Sequence, residues 1–277
     1  MSQSSQPCIT EDIRKQYDLL TGLYQFLWGA HIHHGYWENG ESTNEAMVKL
    51  VERLASRLEI ARDHRVLDIG SGLGGSACWL AKTFGCSVLG LTLNQTQVEA
   101  AQKLASDEGV SHLATFRVHD ANTLDLPSES FDRIWIIECS EHIHDKPAFF
   151  RECARLLSPG GQLGLCAWLK GDASGPEADE VVRGVCETML FPSLLTLGEQ
   201  TAMLEQAGFG NVAGDNIASH VRPTWEHCNK LVSTPMAKMY LHMKGAKFRR
   251  FVDSLPLIER GYREGVMAYG MITAVKQ

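Results

Sequence analysis

Val66-Leu67-Asp68-Ile69-Gly70-Ser71-Gly72-Leu73-Gly74-Gly75 joins an apolar strand to a glycine-rich turn, and Ser76-Ala77-Cys78-Trp79-Leu80-Ala81 behind it can open a helix. Glycines at Gly70, Gly72 and Gly74 let backbone N–H groups come closer to a ligand than any side chain would allow. The spacing Gly70-x-Gly72-x-x-Gly75 also fits a dinucleotide fingerprint, so the glycines alone leave the cofactor open. Two neighbours decide it. A nucleotide-dependent dehydrogenase needs an acid roughly 20 residues on for its ribose, yet the tip of the next strand reads Val88-Leu89-Gly90-Leu91-Thr92-Leu93-Asn94. Asp68, just before the turn, would repel a pyrophosphate but suits a ligand carrying an ammonium and a sulfonium. The expected cofactor is therefore S-adenosyl-L-methionine, with an NAD-type dehydrogenase as the rival class.

Outward from this turn the chain alternates short apolar strands with helical stretches, the pattern of a parallel α/β sheet. Strands are predicted at 65–69, 87–92, 114–118, 132–137 and 162–168, and helices at about 75–84, 95–108, 146–157 and 198–207. Upstream, a helix starts near Thr10, and a second spans Ser42 to Leu58 with Ala46, Leu50, Leu54 and Leu58 on one face. After Trp168 the alternation breaks. Residues 170–197 and 222–258 read as cover over the carboxyl edge of the sheet, where open α/β folds bind ligands. The apolar run from Gly265 to Val275 suits a last, inserted strand.

Composition sets outer bounds. The 277 residues are 44% hydrophobic and 21% charged, enough for a sizeable core. A net charge of -7 without a basic stripe argues against nucleic acid as a partner. The eight cysteines form no C-x-x-C pair and several lie in apolar runs, which reads as reduced core thiols. Met1 to Pro7 lack the pattern of a secretory signal, and no apolar run reaches the length of a membrane span. A cytoplasmic protein without stable membrane insertion is expected, with room for a homo-oligomer.

Polar residues gather at the predicted strand tips. Thr92 and Gln97 can reach ribose hydroxyls where an acid is missing, although a helix cap is the competing explanation. In His119-Asp120-Ala121-Asn122, the Asp120 carboxylate can accept from an adenine amine, and the small Ala121 lets a backbone N–H reach the ring. Glu138 and His142, in Glu138-Cys139-Ser140-Glu141-His142, are candidate cofactor or acceptor contacts, since carboxylates and histidines at a strand tip are costly to place idly. The cluster His31, His33, His34, Tyr36 and Trp37 has no Cys or acid at ligand spacing. It fits a lid closing over the cofactor better than a metal site. No metal is expected.

Together these motifs resemble the class I S-adenosylmethionine-dependent methyltransferases. The His33-His34-Gly35-Tyr36 segment, Val66–Gly75, the Glu138 and Glu141-His142 loop and Leu157-Ser158-Pro159-Gly160-Gly161 point within that class to the γ-tocopherol methyltransferase-like group. Sterol, cyclopropane-fatty-acid and sugar O-methyltransferases are related to that group. The resemblance implies a Rossmann-like sheet of seven strands with the last one antiparallel. The chain then divides into an N-terminal helical lid (1–60), a cofactor-binding core (61–169), and an acceptor cap with the last strands (170–277). It also implies methyl transfer to a small, largely apolar acceptor, with C-methylation of a phenolic or prenyl-type natural product as the reading and N- or O-methylation of a small metabolite as the alternative. Cofactor contacts are expected from Tyr36, Asp68, Gly70, Gly72, Gly74, Thr92, Gln97, Asp120, Ala121 and Glu138. If carbon is methylated a base must remove a proton, and His34, Glu138 and His142 are the candidates. Cys139 departs from the aliphatic, Ser or Gly neighbour usual in phenolic members.

Overall fold

The computed structural model describes residues 11, 13–15, 29–234 and 246–277. A seven-stranded sheet runs in the order β3-β2-β1-β4-β5-β7-β6, with β1 Arg65–Ile69, β2 Ser87–Thr92, β3 Ala114–Val118, β4 Phe131–Ile137, β5 Leu157–Lys170, β6 Phe209–Asn216 and β7 Met267–Lys276. The first five strands are parallel, and β7 lies antiparallel between β5 and β6. The chain winds out from β1 to β3, then returns to place β4 on the other side of β1. This reversal opens a crevice at the carboxyl ends of β1 and β4, the usual ligand position in such sheets.

Local sequence explains most elements. Ile134, Trp135 and Ile136 in β4 and Leu67 and Ile69 in β1 are fully buried, as strands covered on both faces must be. Helix α1, Thr43–Ala55, starts on a capping box between Ser42 and Glu45. Helix α2, Gly75–Phe84, starts on Gly74 in the left-handed region (φ 82°), and α3, Gln95–Asp107, on the Asn94 side chain, which accepts from the Thr96 and Gln97 backbone N–H groups. Helix α4, Lys146–Leu156, leads into β5. Beyond β5 come α5 Pro176–Met189, α6 Leu197–Gln206, the short α7 Ala218–Val221, α8 Pro223–Val232 and α9 Ala246–Arg263; α9 packs on α5 and α8, whereas α6 packs on β6.

Two expectations change. Strand β6 was not predicted: its sequence, Phe-Gly-Asn-Val-Ala-Gly-Asp-Asn, lacks a period-2 apolar pattern because it is an edge strand with half-exposed positions. Helix α1 is no lid: Met47, Leu50, Val51 and Leu54 are fully buried and share one core cluster with Trp135 and Cys166 of the sheet. The predicted helix near Thr10 lies mostly outside the described residues, of which Ile13 is buried.

Candidate active site

The crevice between the tips of β1, β2, β3 and β4 is an open pocket enclosing about 820 Å³ of space, mouth included. Gly70, Gly72, Thr92, Gln97, Asp120, Ala121, Glu138 and His142 all line it. A smaller cavity adjoins it at Gly70 and Gly72, walled by Asp68, Ser71, His31 and His33. The two cavities thus bring together residues as far apart in the chain as His31 and His142.

The glycines do different things. A Cβ on Gly72 (φ 52°) would meet nothing, so this is where backbone faces open space. A Cβ on Gly70 (φ 84°) would lie 2.5 Å from Cys139 Cβ, which makes Gly70 also a packing glycine between β1 and the β4 loop. Gly74 does not line the pocket, contrary to expectation. Its added Cβ would meet Ala101 Cβ at 2.7 Å and Phe116 Cζ at 2.9 Å, so close α2–sheet packing requires it.

Asp68 is buried at the end of β1, and its Oδ2 has no hydrogen-bond partner in the protein. Burial alone pushes its carboxyl up to about 7. An unpaired carboxylate oxygen beside a glycine turn is a fit for a cationic group. Farther out, Thr92 donates to Gln97 Oε1 at 2.5 Å, and Asp120 Oδ1 accepts from the Asn122 backbone and side-chain amides at 2.9 and 2.8 Å, which folds the loop after β3. The helix cap considered for Thr92 and Gln97 falls instead to Asn94.

Glu138 follows β4 in the left-handed region (φ 53°), a conformation costing a non-glycine residue about 1–2 kcal/mol. Its carboxylate gathers four donors. The His34 backbone N–H (2.7 Å), His34 Nδ1 (2.8 Å) and the Tyr269 hydroxyl (2.7 Å) reach Oε1, and the Trp168 indole N–H (2.9 Å) reaches Oε2. Burial pushes this carboxyl up, but the His34 ring and its hydrogen bonds outweigh it and hold it at about 2. A carboxylate so satisfied is a poor proton acceptor. It anchors the N-terminal segment to β5 and β7, which corrects its expected role as a base.

His34 is corrected for the same reason. Its Nδ1 donates to Glu138, and its Nε2 accepts from the Trp225 indole N–H at 2.6 Å, so neither nitrogen faces the pocket with a lone pair to spare. Tyr36 is not brought to the pocket either: it stacks on His220 at 4.3 Å with the Arg53 guanidinium over its ring. Around them, the Gly35 N–H and the Trp37 indole donate to Thr224 Oγ1 at 3.0 and 2.9 Å. The described part of the expected lid is therefore tied to α8. Its residues 1–10, 12 and 16–28 lie outside the described residues.

His142 remains. It lines the pocket, meets Phe191 edge-on at 4.9 Å and hydrogen-bonds the Leu190 backbone; burial pulls it down to about 4, so the ring is neutral at neutral pH. Behind it Glu141 is buried and accepts the Trp168 N–H at 2.5 Å, with burial pushing its carboxyl up to about 8. Sequence reasoning named neither Trp168 and Tyr269, on neighbouring strands, nor Trp225, on α8, as site residues. Trp168 and Tyr269 sit in ordinary apolar runs and Trp225 in a polar stretch, none with a local signal.

A doubly wound sheet with a glycine turn, a buried unpaired carboxylate and a pocket at the switch point defines a nucleoside-cofactor enzyme. Residues 67–165 match the family described as a methyltransferase domain. A 27-O-demethylrifamycin SV methyltransferase from Amycolatopsis mediterranei is 33% identical over 96% of this chain and 97% of its own. The chloroplastic tocopherol O-methyltransferase of Arabidopsis thaliana is 29% identical over 99% and 84%. Among solved structures, the cyclase SpnF superposes with a TM-score of 0.84 at 27% identity, over 96% of both chains. The chain belongs to the class I S-adenosylmethionine-dependent methyltransferases, and its cofactor is S-adenosylmethionine. It acts on a small molecule.

Proposed function

We propose that this enzyme methylates a small, largely apolar natural-product acceptor at carbon, the acceptor being phenolic or prenyl-like. When bound, S-adenosylmethionine supplies an electrophilic methyl. In this reading Asp68 holds its cationic end, Gly70 and Gly72 give the backbone close approach, and Thr92, Gln97, Asp120 and Ala121 receive its nucleoside. Ile32, Ile137, Cys139 and Ile143 give the pocket an apolar wall, against which an apolar acceptor displaces water.

The observation carrying the carbon reading is the weakness of the available base. His142 is neutral but held at about 4, and Glu138 is held at about 2. An alkene or phenolic ring that has just accepted a methyl cation carries a very acidic C–H, which a weak base removes readily. A hydroxyl nucleophile needs a stronger one. His142 is then the proton acceptor, with Phe191 edge-on to it and Trp168 packed in turn on Phe191. A second reading, O-methylation, is favoured by the names of two relatives, a tocopherol O-methyltransferase and a 27-O-demethylrifamycin SV methyltransferase.

The test is turnover of carbon-13-methyl-labelled S-adenosylmethionine against phenolic, prenyl, hydroxyl and amine acceptors, with NMR of the product. A labelled methyl bonded to carbon is expected. Products labelled only on oxygen or nitrogen would overturn the carbon reading.

A further inference from the structure

His31, His33 and Asp68 line one small cavity beside the glycine turn, and each carries a buried polar atom without a partner in the protein: His31 Nδ1, His33 Nε2 and Asp68 Oδ2. Three orphaned polar atoms around one cavity are expensive, since each forfeits water without a replacement. Their chemistry is specific. His33 Nδ1 lies 2.8 Å from the His34 carbonyl oxygen, so Nδ1 carries the proton and donates. That leaves Nε2 as a bare lone pair, able only to accept. Asp68 Oδ2 is likewise an acceptor. His31 packs beside both, its ring edge-on to His33 at 5.3 Å, and burial keeps it neutral. Two unpartnered acceptors on residues that line one cavity call for a ligand group with several N–H donors and a positive charge.

We propose that His33 is a specificity residue for the amino-acid end of the cofactor: its Nε2 and Asp68 Oδ2 together accept hydrogen bonds from the α-ammonium. The inference rests on the assignment of S-adenosylmethionine to this pocket and deepens it. In consequence the N-terminal segment reads the cofactor through His33, while its neighbour His34 is spent on Glu138. One dipeptide therefore joins cofactor recognition to the anchoring of the segment.

Calorimetry tests this with three probes: S-adenosylhomocysteine, its analogue lacking the α-amino group, and methylthioadenosine, which lacks the whole amino-acid end. His33→Phe keeps a ring of similar breadth but removes the lone pair. The native protein should prefer S-adenosylhomocysteine over the des-amino analogue. In His33→Phe that preference should shrink about tenfold or more, as for loss of a hydrogen bond to a charged group, while methylthioadenosine binds as before. A preference unchanged in His33→Phe would overturn the proposal. Should that variant not fold, nitrogen-15 NMR of the native histidines decides. The His33 Nε2 resonance should move on binding S-adenosylhomocysteine and far less with the des-amino analogue, and equal shifts would refute it. Failure of every probe to bind would strike the cofactor assignment instead.

Discussion

His34 Nδ1 lies 2.8 Å from Glu138 Oε1, and the same oxygen accepts the His34 backbone N–H at 2.7 Å. Two contacts from one residue to one oxygen tie a segment before α1 to the tip of β4, across 104 positions of sequence. Glu138 tolerates its left-handed backbone because these bonds, with Tyr269 and Trp168, overdetermine its position.

Glu138→Gln should therefore act first on stability. Its amide would set an N–H group against donors that now share a carboxylate, leaving at least one buried donor unpaired. Denaturant unfolding should show a loss of about 1–3 kcal/mol. His34→Ala should behave alike, removing the ring bonds to Glu138 and Trp225. If either variant kept native stability but lost turnover outright, the anchoring role would have to yield to a catalytic one.

The glycines should separate binding from folding. Gly74→Ala forces a Cβ against Ala101 and Phe116 and should destabilise by about 1–3 kcal/mol. Gly72→Ala meets no atom and should cost only the roughly 1–2 kcal/mol of its left-handed backbone, yet weaken S-adenosylhomocysteine binding measurably. For Gly70→Ala, the contact with Cys139 Cβ predicts partial rescue of stability by Cys139→Gly. Additive losses in the double variant would contradict that contact.

Asp68 makes two pH predictions of known sign. Its carboxyl is raised from 3.8 to about 7 by burial, so its protonated form stabilises the unliganded fold fully below about pH 3.8, and that contribution is lost as pH rises through 7. Glu141, raised from 4.5 to about 8, adds a loss extending to pH 8. Unliganded stability should thus fall between about pH 4 and 8 on account of these groups. Binding of an ammonium-bearing ligand favours ionised Asp68, so S-adenosylhomocysteine affinity should climb as pH rises toward 7 and level off above it. Asp68→Asn should flatten the climb, and an unaltered affinity profile in that variant would exonerate Asp68.

His142→Phe keeps the apolar packing against Phe191 and removes the proton acceptor. Turnover should drop on the order of 10²-fold or more, while S-adenosylhomocysteine affinity stays close to native. Calorimetry and initial rates on one preparation distinguish this from general damage to the pocket.

Much of this was legible in the chain. The glycine turn after an apolar strand, the missing acid near Asn94 and the helix–strand alternation specify the parallel sheet because they are local: strand burial, turn conformation and helix capping are set by residues a few positions apart. The strand-tip residues Asp68, Thr92, Gln97, Asp120 and Glu138 were readable by the same route, since a parallel sheet sends every carboxyl end to one edge. Strand β6 escaped because an edge strand with Gly210, Gly214 and Asp215 has no buried face to impose alternation.

What each polar group does was decided only in three dimensions. Glu138 and His34 read equally well as bases in sequence, but a base needs an uncommitted lone pair, and theirs are taken by Tyr269, Trp168 and Trp225 from β7, β5 and α8. Gly74 and Gly72 are alike in sequence and differ only in what stands behind them. Tyr36 left the site by stacking on His220, 184 positions away. Sequence fixes which groups exist and which strand end carries them; protonation state and accessibility depend on long-range partners that only the folded chain brings within hydrogen-bond distance.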